Sequence, residues 1–343
     1  MTDTLVVQTA WLGDAILSTP LLKALGEQYG KVDVVTTPAA APLLETHPAV
    51  GRIVLFDKRH RDRGLIGLVR TARKLRRSGY ERVYLAQGSW RSALLALLAG
   101  IRERIGFADA TGRALYTRRA TPTGDHEAIR LRSLATTTPG YAEPTLSLTN
   151  DDLAAARAAL ADAGVSPPFV VLAPGSARAN KRWPHFGHLA QRIATHCPVV
   201  IVGGPPEARS DTQPCDHAVA DLRGLLPIRQ SAAVVALAVA AVTNDSAPLH
   251  IAQAVGTPVV GLFGPTDPTQ GFGPRGPFDH ALGVDGLACR PCSTHGGRRC
   301  PLGHHRCLRD LDPDSVHEVV LRVIRSTCTP SSRGFTPRTV RAT

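Results

Sequence analysis

Short apolar runs alternate with amphipathic stretches along nearly the whole chain. Thr4–Gln8, Lys31–Thr36, Arg52–Phe56 and Arg82–Ala86 are predicted as strands, with Gly88-Ser89-Trp90-Arg91 closing the last of them. Ala15–Gln28, Ala39–Thr46, Gly67–Ser78 and Ser92–Ala99 are predicted as the helices between them. Asp125–Thr137 reads as a further helix and Thr138–Thr149 as a proline-containing crossing segment. Asp151–Ala163 is an Ala-rich helix, capped by Asn150 or Asp151 in front and Gly164 behind. The alternation then restarts with strand Phe169–Ala173, helix Pro184–Thr195 opened by its proline, strand Pro198–Gly203 and a turn at Leu222-Arg223-Gly224. Val234–Val242 is predicted as a buried strand, Asn244-Asp245-Ser246 as the N-cap cluster of a helix to about Val255, and Pro258–Phe263 as another strand. A last helix, Pro313–Ser326, is expected to pack back across the junction between the halves. Such alternation implies α/β structure, a parallel sheet with helices on both faces, and the pattern alone permits one large sheet.

Length and composition refine this picture. A chain of 343 residues with 43% hydrophobic content can bury two ordinary cores. Residues 1–150 and 151–328 are the expected domains, and 329–343, polar and basic with two prolines in Ser331–Thr343, the expected disordered tail. No uninterrupted apolar run reaches bilayer-spanning length and the first residues lack a secretory pattern, so a cytoplasmic location is expected, with peripheral attachment to the inner face of the cell membrane open. The formal charge of +12 favours polyanionic partners: nucleic acid, an anionic membrane face or a phosphorylated glycolipid. Much of that charge fits a scattered, solvated surface. The run Lys58-Arg59-His60-Arg61-Asp62-Arg63 is local, however, and follows a strand at the sheet edge where open α/β folds meet ligands. Arg59, Arg61 and Arg63 are accordingly expected to hold phosphates on an acceptor.

Three segments carry the chemistry. In Val242–Gly276 the helix start at Asn244-Asp245-Ser246 offers backbone N–H groups and the positive end of a helix dipole, a place for a phosphate or diphosphate. Thr4–Leu25 contains a strand, a loop closing in Gly13-Asp14 and a helix. Phe169–Phe186 contains a strand, a loop with Ser176, Lys181 and Arg182, and a helix start. In this order and combination, from Thr4 to about Ile324, they resemble glycosyltransferase family 9, the ADP-heptose:lipopolysaccharide heptosyltransferases, and heptosyltransferase II more than heptosyltransferase I.

The resemblance implies the GT-B arrangement, two doubly wound Rossmann-like domains facing across a cleft, the first binding acceptor and the second the nucleotide-sugar. It implies ADP-heptose as donor and a phosphorylated glycolipid of the lipopolysaccharide inner core, at the inner membrane surface, as acceptor. Asp14 matches the aspartate that the family uses as general base, and it equally fits a helix cap. Lys181 matches the lysine of the P-G-x…K-R-W-P pattern, where it would balance the departing diphosphate, with Ser176 donating to the same oxygens. Asp245, Ser246, Ala247 and His250 match the D-S-G-x-x-H part of the donor site, with Ala247 where glycine is common, a departure that narrows backbone approach. Asp245 is expected on a sugar hydroxyl, and His250 on the sugar or phosphate, or else in the core. Glu207, after the strand ending near Gly203, would hold the ribose, and Thr266 and Asp267 are further candidates. No D-x-D motif stands at a strand end, and Asp310-Leu311-Asp312 before Pro313 reads as a capping turn. The expected reaction is therefore an inverting single displacement that requires no metal or other cofactor.

Cys289, Cys292, Cys300 and Cys307, interleaved with His295, His304 and His305, have spacing compatible with a structural zinc site or with reduced, packed thiols. Other readings stay open: another nucleotide-sugar or cell-surface glycan acceptor, or a basic zinc-ribbon protein that binds nucleic acid. Aromatic content of 5% gives the last little stacking capacity, and nucleic acid is not the expected partner. T-A-W-L-G-D after the first strand, in place of G-x-G-x-x-G, argues against a dinucleotide oxidoreductase.

Overall fold

The computed structural model describes residues 2–136, 140, 143–205 and 219–328. The chain divides into two compact units, residues 1–146 and 147–343. Glu207, Cys215, part of the expected crossing segment and the expected tail lie outside the described residues.

In the first unit the elements run β1 (Thr4–Val7), α1 (Leu12–Leu17), α2 (Thr19–Tyr29), β2 (Val32–Thr36), α3 (Ala41–Leu44) and β3 (Val50–Leu55). They continue with α4 (Gly64–Arg76), β4 (Arg82–Leu85), α5 (Trp90–Leu98), β5 (Glu103–Phe107), β6 (Arg118–Ala120) and α6 (Glu127–Arg132). The sheet order is β3-β2-β1-β4-β5-β6, with every pair parallel. β1 and β2 are buried along their full lengths because helices cover both sheet faces.

The second unit runs α7 (Asn150–Asp162), β7 (Val170–Ala173), α8 (Phe186–Ala194), β8 (Val199–Ile201), β9 (Val219–Asp221) and α9 (Ile228–Leu237). Then follow β10 (Ala240–Asn244), α10 (Ala247–Val255), β11 (Val259–Leu262), β12 (His280–Leu282), α11 (Arg306–Arg309) and α12 (Pro313–Cys328). Its parallel sheet is ordered β12-β11-β10-β7-β8-β9. Each unit thus winds outward one way and crosses back to wind the other. The switch points fall between β1 and β4 in the first and between β7 and β10 in the second. Ligands of doubly wound sheets bind beyond the carboxyl ends of the strands at these points.

Three expectations change. Val234–Val242 is not one strand: Val234 and Val235 belong to α9, the chain extends at Ala238, and β10 begins at Ala240. Ala232–Ala236 are all at most 5% exposed, so this end of the helix has no polar face from which its period could be read. The first helix breaks at Ser18, because Pro20 has no N–H to continue the ladder. Ser18 Oγ and Thr19 Oγ1 bond the carbonyls of Ala15 and Ile16 there, at 2.7 and 2.8 Å. Helix α8 starts at Phe186 rather than Pro184, and the Trp183 N–H before it bonds Asn244 Oδ1 at 2.9 Å.

Two buried anchors stabilise the second unit. Val316, Val320 and Val323 of α12 enter one core with Phe186, Leu189 and the strands β7 and β10, which places α12 on its own unit's core. Burying each such side chain contributes roughly 1.5–3 kcal/mol. The Asp152 carboxylate, capping α7 through the Thr149 N–H at 2.8 Å, is paired with the buried guanidinium of Arg229 on α9. Burial alone would raise the Asp152 pKa, but the bonds from Arg229 and Thr149 hold it below the usual carboxylate range.

Candidate active site

In the second unit the loops leaving β7 and β10 converge. Asn244, fully buried at the end of β10, donates from Nδ2 to the Pro174 carbonyl at 2.7 Å and accepts from the Trp183 N–H, so it ties both ends of the β7–α8 loop. That loop presents Ser176 and Lys181. Lys181 Nζ donates to Asp245 Oδ2 at 2.6 Å, and Thr266 Oγ1 donates to the same oxygen at 2.7 Å. The lysine and aspartate side chains are only 12% and 10% exposed, so water screens this pair weakly. An ammonium has three N–H donors, and the bond to Asp245 leaves others for an anion.

Ser176, on the same loop, is 5% exposed, and Arg182 Nε donates to its carbonyl at 3.0 Å. Ser246 does not cap α10 with its side chain; its Oγ donates to the Gly175 carbonyl at 3.2 Å, a further tie between the two loops. Pro248 has no N–H and the Leu249 N–H bonds the Ser246 carbonyl at 3.0 Å. The N–H groups of Ser246 and Ala247 are the candidate donors at this helix end, fewer than the sequence implied. Asp245, expected on a sugar hydroxyl, carries the lysine and Thr266 on its Oδ2. His250, 5% exposed, places Nδ1 3.3 Å from Gln253 Oε1 and its ring 6.4 Å from Phe272, a packed position on α10. Thr266 joins the site through Asp245, whereas Asp267 caps the short turn Pro268–Gln270 by accepting from the Thr269 N–H at 2.9 Å.

The cysteine-rich loop covers this cluster. The Cys292 N–H bonds the Pro265 carbonyl at 2.8 Å, and the His295 ring packs edge-on against Phe272 at 5.7 Å. Gly296, at φ +72°, lies so close to Lys181 that an added Cβ would stand 2.7 Å from its Cε. The four thiols do not form a metal cage: among the described residues no group of three or more His, Cys, Asp or Glu is gathered closely enough to hold an ion. Cys292 Sγ donates to the Cys289 carbonyl at 3.2 Å, Cys289 Sγ lies 3.9 Å from His304 Nε2, backbone N–H groups of the following turn hold the Cys300 thiol below its usual range, and Cys307 is buried with Leu308 and Leu311 in the core.

In the first unit Asp14 is not in a loop but at the third position of α1. Its Oδ2 accepts from the Trp11 N–H at 3.0 Å, half of a capping box, which fixes the carboxylate at the carboxyl edge beyond β1. The Trp11 ring is exposed, with the Arg59 guanidinium 4.0 Å from its centroid. Arg61 reaches the buried Asp62 at 3.5 Å, and Arg63 stands exposed at the N-cap of α4. Sequence reasoning missed two charged neighbours of Asp14. Burial holds the Lys58 ammonium below its usual range, with Arg59 and Arg91 adding repulsion and Asp14 opposing. Burial likewise pushes the Glu127 carboxyl up to about 7; it outweighs the pairing with Arg130, and repulsion from Asp14 and Asp109 adds to it. Lys58 had a signal, as the opening residue of the basic run; Glu127, 113 residues from Asp14, had none.

A family model described as glycosyltransferase family 9 (heptosyltransferase) matches residues 68–302. The chain is 26% identical to lipopolysaccharide heptosyltransferase 2 of Escherichia coli over 345 residues, covering 92% of this chain and 96% of the relative. It is 29% identical to lipopolysaccharide heptosyltransferase 1 of Pseudomonas aeruginosa over 329 residues, covering 90% of each. The solved structure of E. coli ADP-heptose lps heptosyltransferase II superposes with a TM-score of 0.74 at 23% identity, covering 95% of this chain and 99% of that one, a likeness of fold.

Two consequences are measurable. Gly296→Ala places a side chain at a left-handed backbone position and against Lys181, so ADP affinity should fall about tenfold or more by calorimetry; unchanged affinity would mean that the loop does not set the lysine. The Glu127 carboxyl, raised from 4.5 to about 7, binds its proton more tightly in the folded chain, so its contribution to stability is complete below pH 4.5 and is lost as pH rises through 7. Glu127→Gln should therefore match the parent in denaturant titrations near pH 4 and exceed it at pH 8; a constant difference would contradict the burial.

Proposed function

The chain belongs to glycosyltransferase family 9 and is a glycosyltransferase, and we propose that it moves heptose from ADP-heptose to a lipopolysaccharide inner-core acceptor by an inverting, metal-independent displacement. The observation that carries this reading is Lys181, held at the switch point of the second sheet on Asp245, which Thr266 fixes in turn. There a fixed cation faces the place where a parallel α/β sheet receives a nucleotide's phosphates. Asp245 is then a positioning residue, which keeps the ammonium at the site while its remaining protons serve phosphate oxygens. Ser176 and the N–H groups of Ser246 and Ala247 add donors, and Glu207, outside the described residues, is the proposed ribose partner. The names of the relatives support heptose as the sugar and lipopolysaccharide as the acceptor.

The first unit supplies the acceptor side. Arg59 and Arg63 are exposed and cationic for the phosphates of the glycolipid, and Arg61, paired loosely with Asp62, can turn to them. In the reaction the acceptor hydroxyl oxygen attacks C1 of the heptose on the face opposite the diphosphate. The bond from C1 to the phosphate oxygen breaks, its electron pair leaves with ADP, and the acceptor proton passes to Asp14. Lys181 offsets the negative charge that grows on the leaving group, the part that a divalent ion plays in other transferases. Asp14 suits the role of base because the Trp11 N–H fixes one carboxylate oxygen and aims the other.

General-base removal costs about 10²–10⁴-fold in rate. Asp14→Asn should lower turnover by that order while ADP affinity stays within a few-fold of the parent. Product from the parent, formed equally well with chelator present, should carry the anomeric configuration opposite to the donor's by NMR. Turnover near the parental rate in Asp14→Asn, or retention of configuration, would refute the mechanism.

A further inference from the structure

We infer that the outward face of α4 docks the protein on an anionic phospholipid surface. At 100° per residue, Gly67, Leu68, Thr71, Ala72 and Leu75 share one side of this helix, and all five are buried against the first unit. Among the described residues no element covers the opposite side, which divides along its length. Its first turn carries Leu65 and Ile66, 69% and 77% exposed, among the most exposed large apolar residues of the described chain, with Val69 following. Beyond them Arg70, Arg73, Lys74 and Arg77 line the same shallow groove. Residues 64–77 contain no Asp or Glu, and among the described residues only Arg70 of the four cations has an acidic neighbour, Asp62 at 3.8 Å.

Solvated charge alone explains the basic residues but not the apolar pair placed beside them. An interfacial helix needs both: apolar side chains that enter the headgroup and acyl boundary, and Lys or Arg at the level of the lipid phosphates. Charge complementarity selects the occupant, since four cations with no acid on their face repel a second copy of the same face and attract an anionic leaflet. The apolar tip also continues the loop that holds Arg59, Arg61 and Arg63, because α4 starts at the carboxyl edge of the sheet just after Arg63. This face would hold that loop at the lipid headgroups whatever acceptor the loop binds.

The test is co-sedimentation of the full-length protein with vesicles of phosphatidylcholine mixed with phosphatidylglycerol, and with phosphatidylcholine alone; neither contains a glycolipid acceptor. Binding should need the anionic lipid and weaken with added salt. Arg73→Glu/Lys74→Glu should lower it more than about tenfold, at roughly fivefold per cation near a charged surface. Leu65→Ser/Ile66→Ser should lower it severalfold, and Arg157→Glu/Arg322→Glu, an equal charge change at exposed sites of the second unit, should leave it intact. All variants should keep the parental unfolding temperature and ADP affinity. No binding to anionic vesicles, or equal loss in the Arg157/Arg322 control, would overturn the assignment. Loss that follows the charges but ignores Leu65 and Ile66 would mark a general polyanion surface and overturn it too. So would self-association that both α4 variants abolish without any vesicle binding.

Discussion

The ion pair between Lys181 and Asp245 organises the second unit's chemistry. It joins residues 64 apart in sequence that leave adjacent strands, β7 and β10, at the one place where the sheet reverses its winding. Neither charge is stable there alone. With both side chains nearly buried, an unpaired ammonium or carboxylate would carry a desolvation cost of several kcal/mol. The pair keeps a cation at a sheet edge where apolar strands would otherwise exclude one. Thr266 and Asn244 then fix the aspartate and the loop, so that the charge is held before a ligand arrives, the condition under which electrostatic stabilisation is most effective.

The first unit repeats the architecture with different chemistry. Its switch point, between β1 and β4, carries an acid where the second carries a base pair of charges, and that acid is fixed by backbone rather than by a counter-ion. The helix break at Pro20 serves this arrangement. It shortens α1 to less than two turns and leaves Asp14 on a small, well-anchored element, with Trp11, Lys58 and Glu127 around it. Around one carboxylate the structure thus assembles an exposed aromatic, a partly buried cation and a second acid whose protonation changes near neutrality.

Much of this was legible in sequence where short-range physics decides. Alternating apolar runs gave the strands, and the family resemblance carried by G-D, K-R-W-P and D-S-x-x-x-H named Asp14, Lys181 and Ser246 as candidates, on segments that strand-loop-helix units in parallel sheets put at one edge. The apolar stretch 234–242 misled because a buried helix end and a buried strand present the same composition. Partnerships across long sequence separations were not legible: Asp245 with Lys181, Glu127 beside Asp14, Arg59 on Trp11. The cysteine spacing suggested a metal cage, yet it is the glycine between those cysteines, Gly296, that lies against the candidate lysine, Lys181. Spacing alone does not distinguish thiols that bind an ion from thiols that pack a loop.

The central claim is that Asp245 acts through Lys181, and a double-mutant cycle on ADP affinity tests it most directly. Lys181→Met, Asp245→Asn and the double variant would be titrated with ADP by calorimetry. The account predicts that Asp245→Asn weakens binding severalfold in the parent and has almost no further effect once Lys181 is Met, a coupling between the two sites of about 1 kcal/mol or more. Independent effects that simply add, or tighter ADP binding in Lys181→Met, would contradict it.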